Sequence, residues 1–296
     1  MRALRYTDFG PADLLEVGEV AEPHPGAGQI RIAVRASGVT PADTALRSGR
    51  LGHRVPLPHV PGVDAAGVVD EIGEGVTGVR PGDEVFGIVD LRQLGGANAD
   101  HAVLAAWAPK PAALSWEQAG GAAANAETAT RALDLLQVGE GTTLLIAGAA
   151  GGVGTLAIQL AVARGAQVIG TAGPATQDFV AGLGATPVVY GEGLAERTGK
   201  VDAALHCAGA VADLVPIAGR VLTIADMSPP EGVQASFMAD PTTFRQALHG
   251  LTDAAELAGK GLFTVPLAGV FPLEEGPAAH RLSETGHAHG KIVLVN

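Results

Sequence analysis

Thiol is the scarcest chemistry in this 296-residue chain, which carries one cysteine, Cys207. A lone sulfur excludes an intramolecular disulfide framework and a four-thiolate zinc lobe, and it fits a reducing cytoplasm. Positive charge is also scarce. Lys and Arg total 19 against 31 Asp and Glu, a formal charge of -12, so an extended polyanion is repelled overall and nucleic acid is not an expected partner. Aromatics make up 4%, which leaves the core to Ala, Val, Leu and Ile. No apolar run reaches about 18 residues without a polar, Gly or Pro break, and the opening MRALRYTDFG has no continuous apolar segment. Neither a membrane span nor a secretory leader is therefore expected. What the chain does have is a 47% hydrophobic and 17% charged composition with 42 glycines. That balance belongs to a folded globular protein, and the length suggests roughly two domains.

From Met1 to about Pro111 the pattern is short apolar runs bounded by Gly and Pro: QIRIAVRASGV, DAAGVVDEIG and DEVFGIVD. This reads as a mostly β unit. Val63 to Ile72 and the stretch after Pro81-Gly82-Asp83 form two strands joined by a glycine-rich connection. The texture changes at residue 115, where Ser115 precedes SWEQAGGAAANAETATRALDLLQV, with Glu117 and Gln118 in the first helical turn. The strand candidates TTLLIA, AQVIGTA, ATPVVY, KVDAALH and GRVLTIA then alternate with helical or glycine-rich breaks, the signature of a parallel sheet with crossover helices. After about residue 264 short strands return, ending in KIVLVN. The expected organisation is one discontinuous domain, 1–115 with 265–296, around an inserted α/β domain, 116–264.

The most informative stretch is 142–173. The run TTLLIA enters Gly148-Ala149-Ala150-Gly151-Gly152-Val153-Gly154 and then the helix-like TLAIQLAVARG. Counted from Ala149 this is A-x-G-x-x-G, a variant of the dinucleotide fingerprint. Gly151 lets backbone approach a pyrophosphate, Gly154 lets helix and strand pack closely, and the helix N-terminus faces the phosphates. About 20 residues on, where an NAD site places a carboxylate for the ribose 2′-hydroxyl, the chain has Thr171, Ala172 and Gly173. With no acid to repel a 2′-phosphate, NADP(H) is the expected cofactor. Thr171, Gln177 and Tyr190 are the neutral donors offered to it.

Separated motifs then agree. ASGVTPADTALRSG, VPGVDAAGVVDEIGEGVTGVRPGDEVFG, AETATRAL, AGAAGGVGTLAIQLA and GHAHGKIVLVN, spread over nearly the whole chain, resemble the medium-chain dehydrogenase/reductase superfamily and its zinc-independent quinone oxidoreductase branch. The resemblance implies a mostly β GroES-like catalytic domain with a Rossmann doubly wound parallel sheet domain, an α/β fold whose cofactor lies in the cleft between them, and commonly a homodimer. It also implies cofactor contacts from Thr128, from Ala149, Ala150, Gly151, Gly152, Val153 and Gly154, and from Thr171, Gly173, Gln177 and Tyr190. Further along, the same resemblance points to Cys207, Ala208, Ile224, Ala225, Phe237, Met238 and Lys291. In the zinc-dependent alcohol dehydrogenases of the superfamily, the positions matching Thr40 and Val63 carry a cysteine and a histidine ligand. Valine has no donor atom and a lone threonine hydroxyl is a poor zinc ligand, so no metal is expected.

The expected reaction is hydride transfer to an acceptor already electrophilic, a quinone or an α,β-unsaturated carbonyl. Thr40 is the candidate to stabilise charge on the acceptor's oxygen, and Thr128 the candidate to touch the nicotinamide, with capping of its own helix as the alternative. His53 and His59 follow the segment that shapes the family's substrate pocket and read either as pocket or as ordinary loop residues; His53 is kept as a catalytic candidate. His287 and His289 read as surface residues. Leu51 stands where some enoyl reductases of the superfamily carry a tyrosine proton donor, so proton delivery is left to solvent. Cys207 reads as a small apolar lining residue. A nucleotide-binding protein without catalysis and a zinc-free alcohol dehydrogenase are the alternative functions.

Overall fold

The computed structural model describes residues 1–236 and 245–296. These fall into two compact units, one made of Met1–Ala124 with Leu251–Asn296 and the other of Asn125–Gly250.

The first unit is built on a six-stranded sheet in the spatial order Leu267–Pro272, Lys291–Val295, Ile30–Val39, Asp64–Ile72, Glu84–Val89 and His101–Pro109, with Ile30–Val39 also pairing to His101–Pro109. Ile30, Ile32 and Val34 alternate inward as a half-buried strand requires and join Val63, Val69, Val85 and Leu104 in the core. The predicted pair around Pro81-Gly82-Asp83 is antiparallel, with Asp64 opposite Ile88. The terminal strand lies antiparallel to Ile30–Val39, with Ile292 opposite Val39, so the end of the chain completes the sheet that its beginning started. Helix Gly276–Glu284 intervenes before that strand; Gly276 and Pro277 at its start disguise it in the sequence. Ser115 and Gln118 form a reciprocal capping box at the start of helix Trp116–Gly120.

The second unit is a six-stranded sheet in which every pairing is parallel. Its strands lie in the spatial order Val233–Ala235, Ala218–Thr223, Val201–His206, Thr143–Ala147, Gln167–Ala172 and Thr186–Val189. Numbered within the unit this is 6-5-4-1-2-3, the doubly wound arrangement with a reversal between its first and fourth strands. Five of the strands match apolar runs in the sequence. The sixth, Val233–Ala235, falls in a stretch the sequence pattern leaves as loop, because an edge strand of three residues carries no usable alternation. Leu145, Ala204, Val211, Leu214 and Ile217 are among the residues that fill the core on one face.

Leu145 is fully buried on the central strand that leads into the glycine turn. Leu145→Ala is expected to destabilise the fold by about 3 kcal/mol through lost transfer energy and a residual cavity, measured as a lower midpoint in urea unfolding followed by circular dichroism.

Candidate functional site

Strand Thr143–Ala147 runs directly into Gly148, whose φ of 84° suits glycine far better than any L side chain. The Gly148 N–H donates to Thr171 Oγ1 at 3.1 Å and the Ala149 N–H to the Thr171 carbonyl at 3.1 Å. The turn is thereby tied to the end of the neighbouring strand, and the Thr171 hydroxyl faces it. Helix Gly152–Ala163 follows, with Gly151 as an N-cap that provides no side-chain hydrogen bond. Its first-turn N–H groups and the positive end of the helix dipole therefore meet no side-chain acceptor of their own, the arrangement that binds phosphate. A Cβ on Gly154 would sit 2.3 Å from the Gly148 carbonyl oxygen and 2.8 Å from Ala149 Cα. The helix start and the turn after the strand approach so closely that only glycine fits there. The residues present fit a dinucleotide's pyrophosphate. Ala149 and Ala150 are buried beneath the turn. Gly148, which counting from Ala149 leaves out, takes the sharp conformation, and its sequence signal is a glycine set immediately after the apolar strand.

At the end of the second strand, Thr171 is buried, and the Gln177 Nε2 donates to the Ala172 carbonyl at 2.7 Å and more weakly to Gly173 at 3.3 Å. The Gln177 amide thus closes the strand end. Tyr190 is 62% exposed, and its hydroxyl lies 3.7 Å from where a Gly173 Cβ would be. Of the three expected neutral donors, Tyr190 is the one open to solvent.

The ends of the fourth and fifth strands meet the same region. The Cys207 N–H donates to the Ala147 carbonyl at 2.9 Å, and Ala208 Cβ lies 2.9 Å from where a Gly148 Cβ would be. Burial pushes the Cys207 thiol up to about 12, so at neutral pH it is a protonated small apolar group. Ile224 is half-buried and Ala225 exposed in the loop after Ala218–Thr223. Phe237 and Met238 lie outside the described residues. Thr128 sits well inside helix Ala123–Leu135, which corrects the capping alternative: its hydroxyl, half-buried, donates to Glu127 Oε2 at 3.3 Å. Glu127 itself is buried and also accepts from Arg131 Nε at 2.8 Å and from the Ala247 N–H at 3.0 Å.

In the first unit, Thr40 is the N-cap of helix Pro41–Arg47, and its hydroxyl donates to Asp43 Oδ2 at 2.6 Å. The other Asp43 oxygen accepts the Gly62 N–H at 2.9 Å. Lys291 Nζ stands 3.4 and 3.5 Å from the two oxygens of Asp64, with both side chains buried. Burial drives the Asp64 carboxyl above its ordinary range while the Lys291 cation pulls it back. His53 is exposed and stacked on Phe9 at 4.3 Å between ring centroids. His59 is buried, Nε2 against the Leu94 carbonyl at 3.2 Å and its ring edge-on to Tyr6, and burial lowers its pKa. That makes His59 a structural group in this unit. His287 and His289 are exposed.

The donor set at the family's zinc positions does not fit that ion: Val63 offers no donor atom, and the Thr40 hydroxyl hydrogen is bound to Asp43. Among the described residues no group of three His, Cys, Asp or Glu is placed to hold a metal ion, and no helix is long and apolar enough to cross a membrane.

Residues 26–130 match the family described as alcohol dehydrogenase GroES-like domain, and residues 177–294 match the one described as zinc-binding dehydrogenase. Pig quinone oxidoreductase is 31% identical over 100% of this chain and 98% of its own length. Rat quinone oxidoreductase is 37% identical in a shorter match that spans 58% of this chain and 53% of that relative. The NADPH-dependent alkenal/one oxidoreductase of Arabidopsis thaliana chloroplasts is 31% identical over 99% of this chain and 79% of its own. In three dimensions the quinone oxidoreductase from Coxiella burnetii covers 100% of this chain and 99% of its own, with a TM-score of 0.87 at 26% identity. Full-length similarity, the GroES-like match and the doubly wound sheet together place the chain in the medium-chain dehydrogenase/reductase superfamily, in its quinone oxidoreductase-like branch.

Proposed function

We propose that this chain is a metal-independent reductase that uses NADPH to transfer hydride to a quinone or to the β-carbon of an α,β-unsaturated carbonyl compound. The observation that carries the reading is the glycine turn at 148–154, joined to a second strand that ends in Thr171, Ala172 and Gly173 without a carboxylate. The relatives named quinone oxidoreductase and alkenal/one oxidoreductase support the acceptor class. The inserted α/β domain, 116–264, takes the nucleotide role and the segments 1–115 and 265–296 the GroES-like catalytic role. A homodimer in the cytoplasm, acting on a small-molecule acceptor and on neither nucleic acid nor membrane, belongs to the same proposal.

When bound, the nicotinamide supplies the hydride. The chain's own part is binding, orientation and charge. The N–H groups of Gly152, Val153 and Gly154 would hold the pyrophosphate at the helix N-terminus. The strand end at 171–173, beside the exposed Tyr190 hydroxyl, leaves the ribose 2′-phosphate unopposed by acid. The Thr40 hydroxyl is the donor to the acceptor's oxygen, a role in which its hydrogen leaves Asp43 Oδ2. Thr128, whose hydroxyl is bonded to Glu127, is the candidate contact to the nicotinamide ring.

Absorbance at 340 nm is expected to fall when NADPH is mixed with the protein and simple quinones or small enones, and more slowly with NADH. Tight NADPH binding without turnover on any acceptor would instead favour a non-catalytic nucleotide-binding protein. Gly154→Val is expected to weaken NADPH binding by about a hundredfold, because its side chain has to displace the Gly148 carbonyl; fluorescence titration measures this. Thr40→Val is expected to lower kcat about tenfold or more with little change in KM for NADPH, while Thr40→Ser, which keeps the hydroxyl, stays within about threefold. Steady-state kinetics on both variants checks the split.

A further inference from the structure

We infer that His206 and Thr223 form a pair of positioning residues for the nicotinamide half of the dinucleotide, locking together the two loops that follow strands Val201–His206 and Ala218–Thr223. The inference rests on the nucleotide-binding reading above and goes beyond it by assigning a role to two side chains that the motif does not include.

Hydrogen-bond capacity carries the argument. His206 and Thr223 are 2% and 0% exposed, so their polar atoms have only each other and the nearby backbone to satisfy them. His206 Nε2 lies 3.1 Å from the Gly209 carbonyl oxygen. A carbonyl has no hydrogen to give, so Nε2 carries the ring proton. His206 Nδ1 lies 2.8 Å from Thr223 Oγ1. That oxygen already accepts the Ala225 N–H at 3.1 Å and the Asp226 N–H at 2.9 Å. A hydroxyl has two lone pairs and one hydrogen. Both lone pairs are taken, so the hydrogen points at Nδ1, which is bare. The ring proton therefore sits on Nε2, and every hydrogen bond of the set has one direction.

Backbone completes the lock. The Ile224 N–H donates to the His206 carbonyl at 3.0 Å, and the Cys207 N–H donates to the Ala147 carbonyl at 2.9 Å. The residues 206–209 and 223–226 are thereby fixed to one another and to the strand that opens the glycine turn. Strand order decides which half of the ligand they serve. The pyrophosphate turn follows Thr143–Ala147, and the position of the adenosine ribose follows Gln167–Ala172, on one side of the reversal in the sheet. Val201–His206 and Ala218–Thr223 lie on the other side. A dinucleotide laid across the reversal puts one mononucleotide on each half, which leaves the nicotinamide to these loops.

The test compares NADPH with 2′,5′-ADP, which carries the adenosine half and no nicotinamide. Calorimetric titration of Thr223→Val is expected to show NADPH weakened about tenfold or more, with 2′,5′-ADP within about twofold of the unmutated protein, and Thr223→Ser is expected to bring NADPH back to within about threefold. His206→Asn, which keeps an acceptor near Nδ1 but loses the donor to Gly209, is read in the same way should Thr223→Val fail to fold. Nitrogen-15 NMR of the unmutated protein is expected to report a bare Nδ1 and a protonated Nε2 on His206. Equal weakening of both ligands means a general structural role and overturns the proposal, as do unchanged affinity for both ligands and a protonated Nδ1. If the unmutated protein binds neither NADPH nor 2′,5′-ADP, the nucleotide reading fails and the positioning role goes with it.

Discussion

The approach of the helix start to the turn that follows the first strand, at Gly154, is the constraint on which the nucleotide-binding half of this chain depends. A Cβ there would meet the Gly148 carbonyl at 2.3 Å, so the helix can begin this close to the turn only without a side chain. Closeness aims first-turn N–H groups over the end of the sheet. On its other side Gly148 packs against Ala208, whose Cβ lies 2.9 Å from where a Gly148 Cβ would be. Thr143–Ala147 and Val201–His206 are the neighbouring strands between which the order of the sheet reverses. The crevice outside such a reversal is where doubly wound sheets bind ligands. The Gly154 contact therefore sets the geometry of the phosphate cradle, and the strand order sets its place on the sheet.

In the other unit the organising interaction is ionic. Lys291 opens the terminal strand and Asp64 opens the strand two places away in the sheet, with Ile30–Val39 between them. The pair passes over Gly38, where a Cβ would lie 2.2 Å from Asp64 Oδ1 and 2.7 Å from Lys291 Cε. Desolvating two charges costs several kcal/mol for each ion, and a buried pair seldom adds much net stability. What it does supply is a penalty for separation: lifting the terminal strand away strands a carboxylate in a dry interior. The Ala124 N–H at 3.2 Å from Asp64 Oδ2 adds the hydrogen bond that a buried carboxylate requires. Lys291, a candidate cofactor contact by resemblance, has its ammonium engaged in this pair.

Legibility in the sequence followed the range of the interactions. Five of the six parallel strands and the antiparallel pair around Pro81-Gly82-Asp83 were readable, because apolar alternation and turn residues act over a few positions. The glycine turn was readable for the same reason, while the sharp φ at Gly148, just before the motif, was not, because φ leaves no trace in a motif count. The Lys291–Asp64 pair spans 227 residues of chain, and nothing local in GKIVLVN or in VPGVDAAG announces it. The lock between His206 and Thr223 was equally hidden, since each residue alone looks like a polar interruption at the end of an apolar strand. Thr128 shows the reverse case. Its motif singled it out, but its hydrogen bond to a buried glutamate next door in sequence, and its position inside the helix rather than at the cap, appear only with the fold.

The scarcity of positive charge takes on a definite meaning once the arginines are located. Arg31 is held by Asp70 and Glu71, Arg47 by Glu284, Arg131 by Glu127 and Arg164 by Asp134. These four guanidinium groups are spent on carboxylates within their own units. The turn at 148–154 draws on none of them and offers neutral dipoles instead, backbone N–H groups at a helix terminus. In the proposed NADPH site, the choice between a ribose hydroxyl and a 2′-phosphate would rest on what the strand end withholds. Across 171–173 there is no carboxylate to repel a phosphate, and the nearby Tyr190 hydroxyl is exposed. Discrimination built on an absent acid is weaker than discrimination built on a bidentate arginine, because it removes a penalty without adding an attraction. Under the proposed NADPH reading, a site of this kind would favour the phosphorylated dinucleotide by degree and keep a measurable affinity for the other.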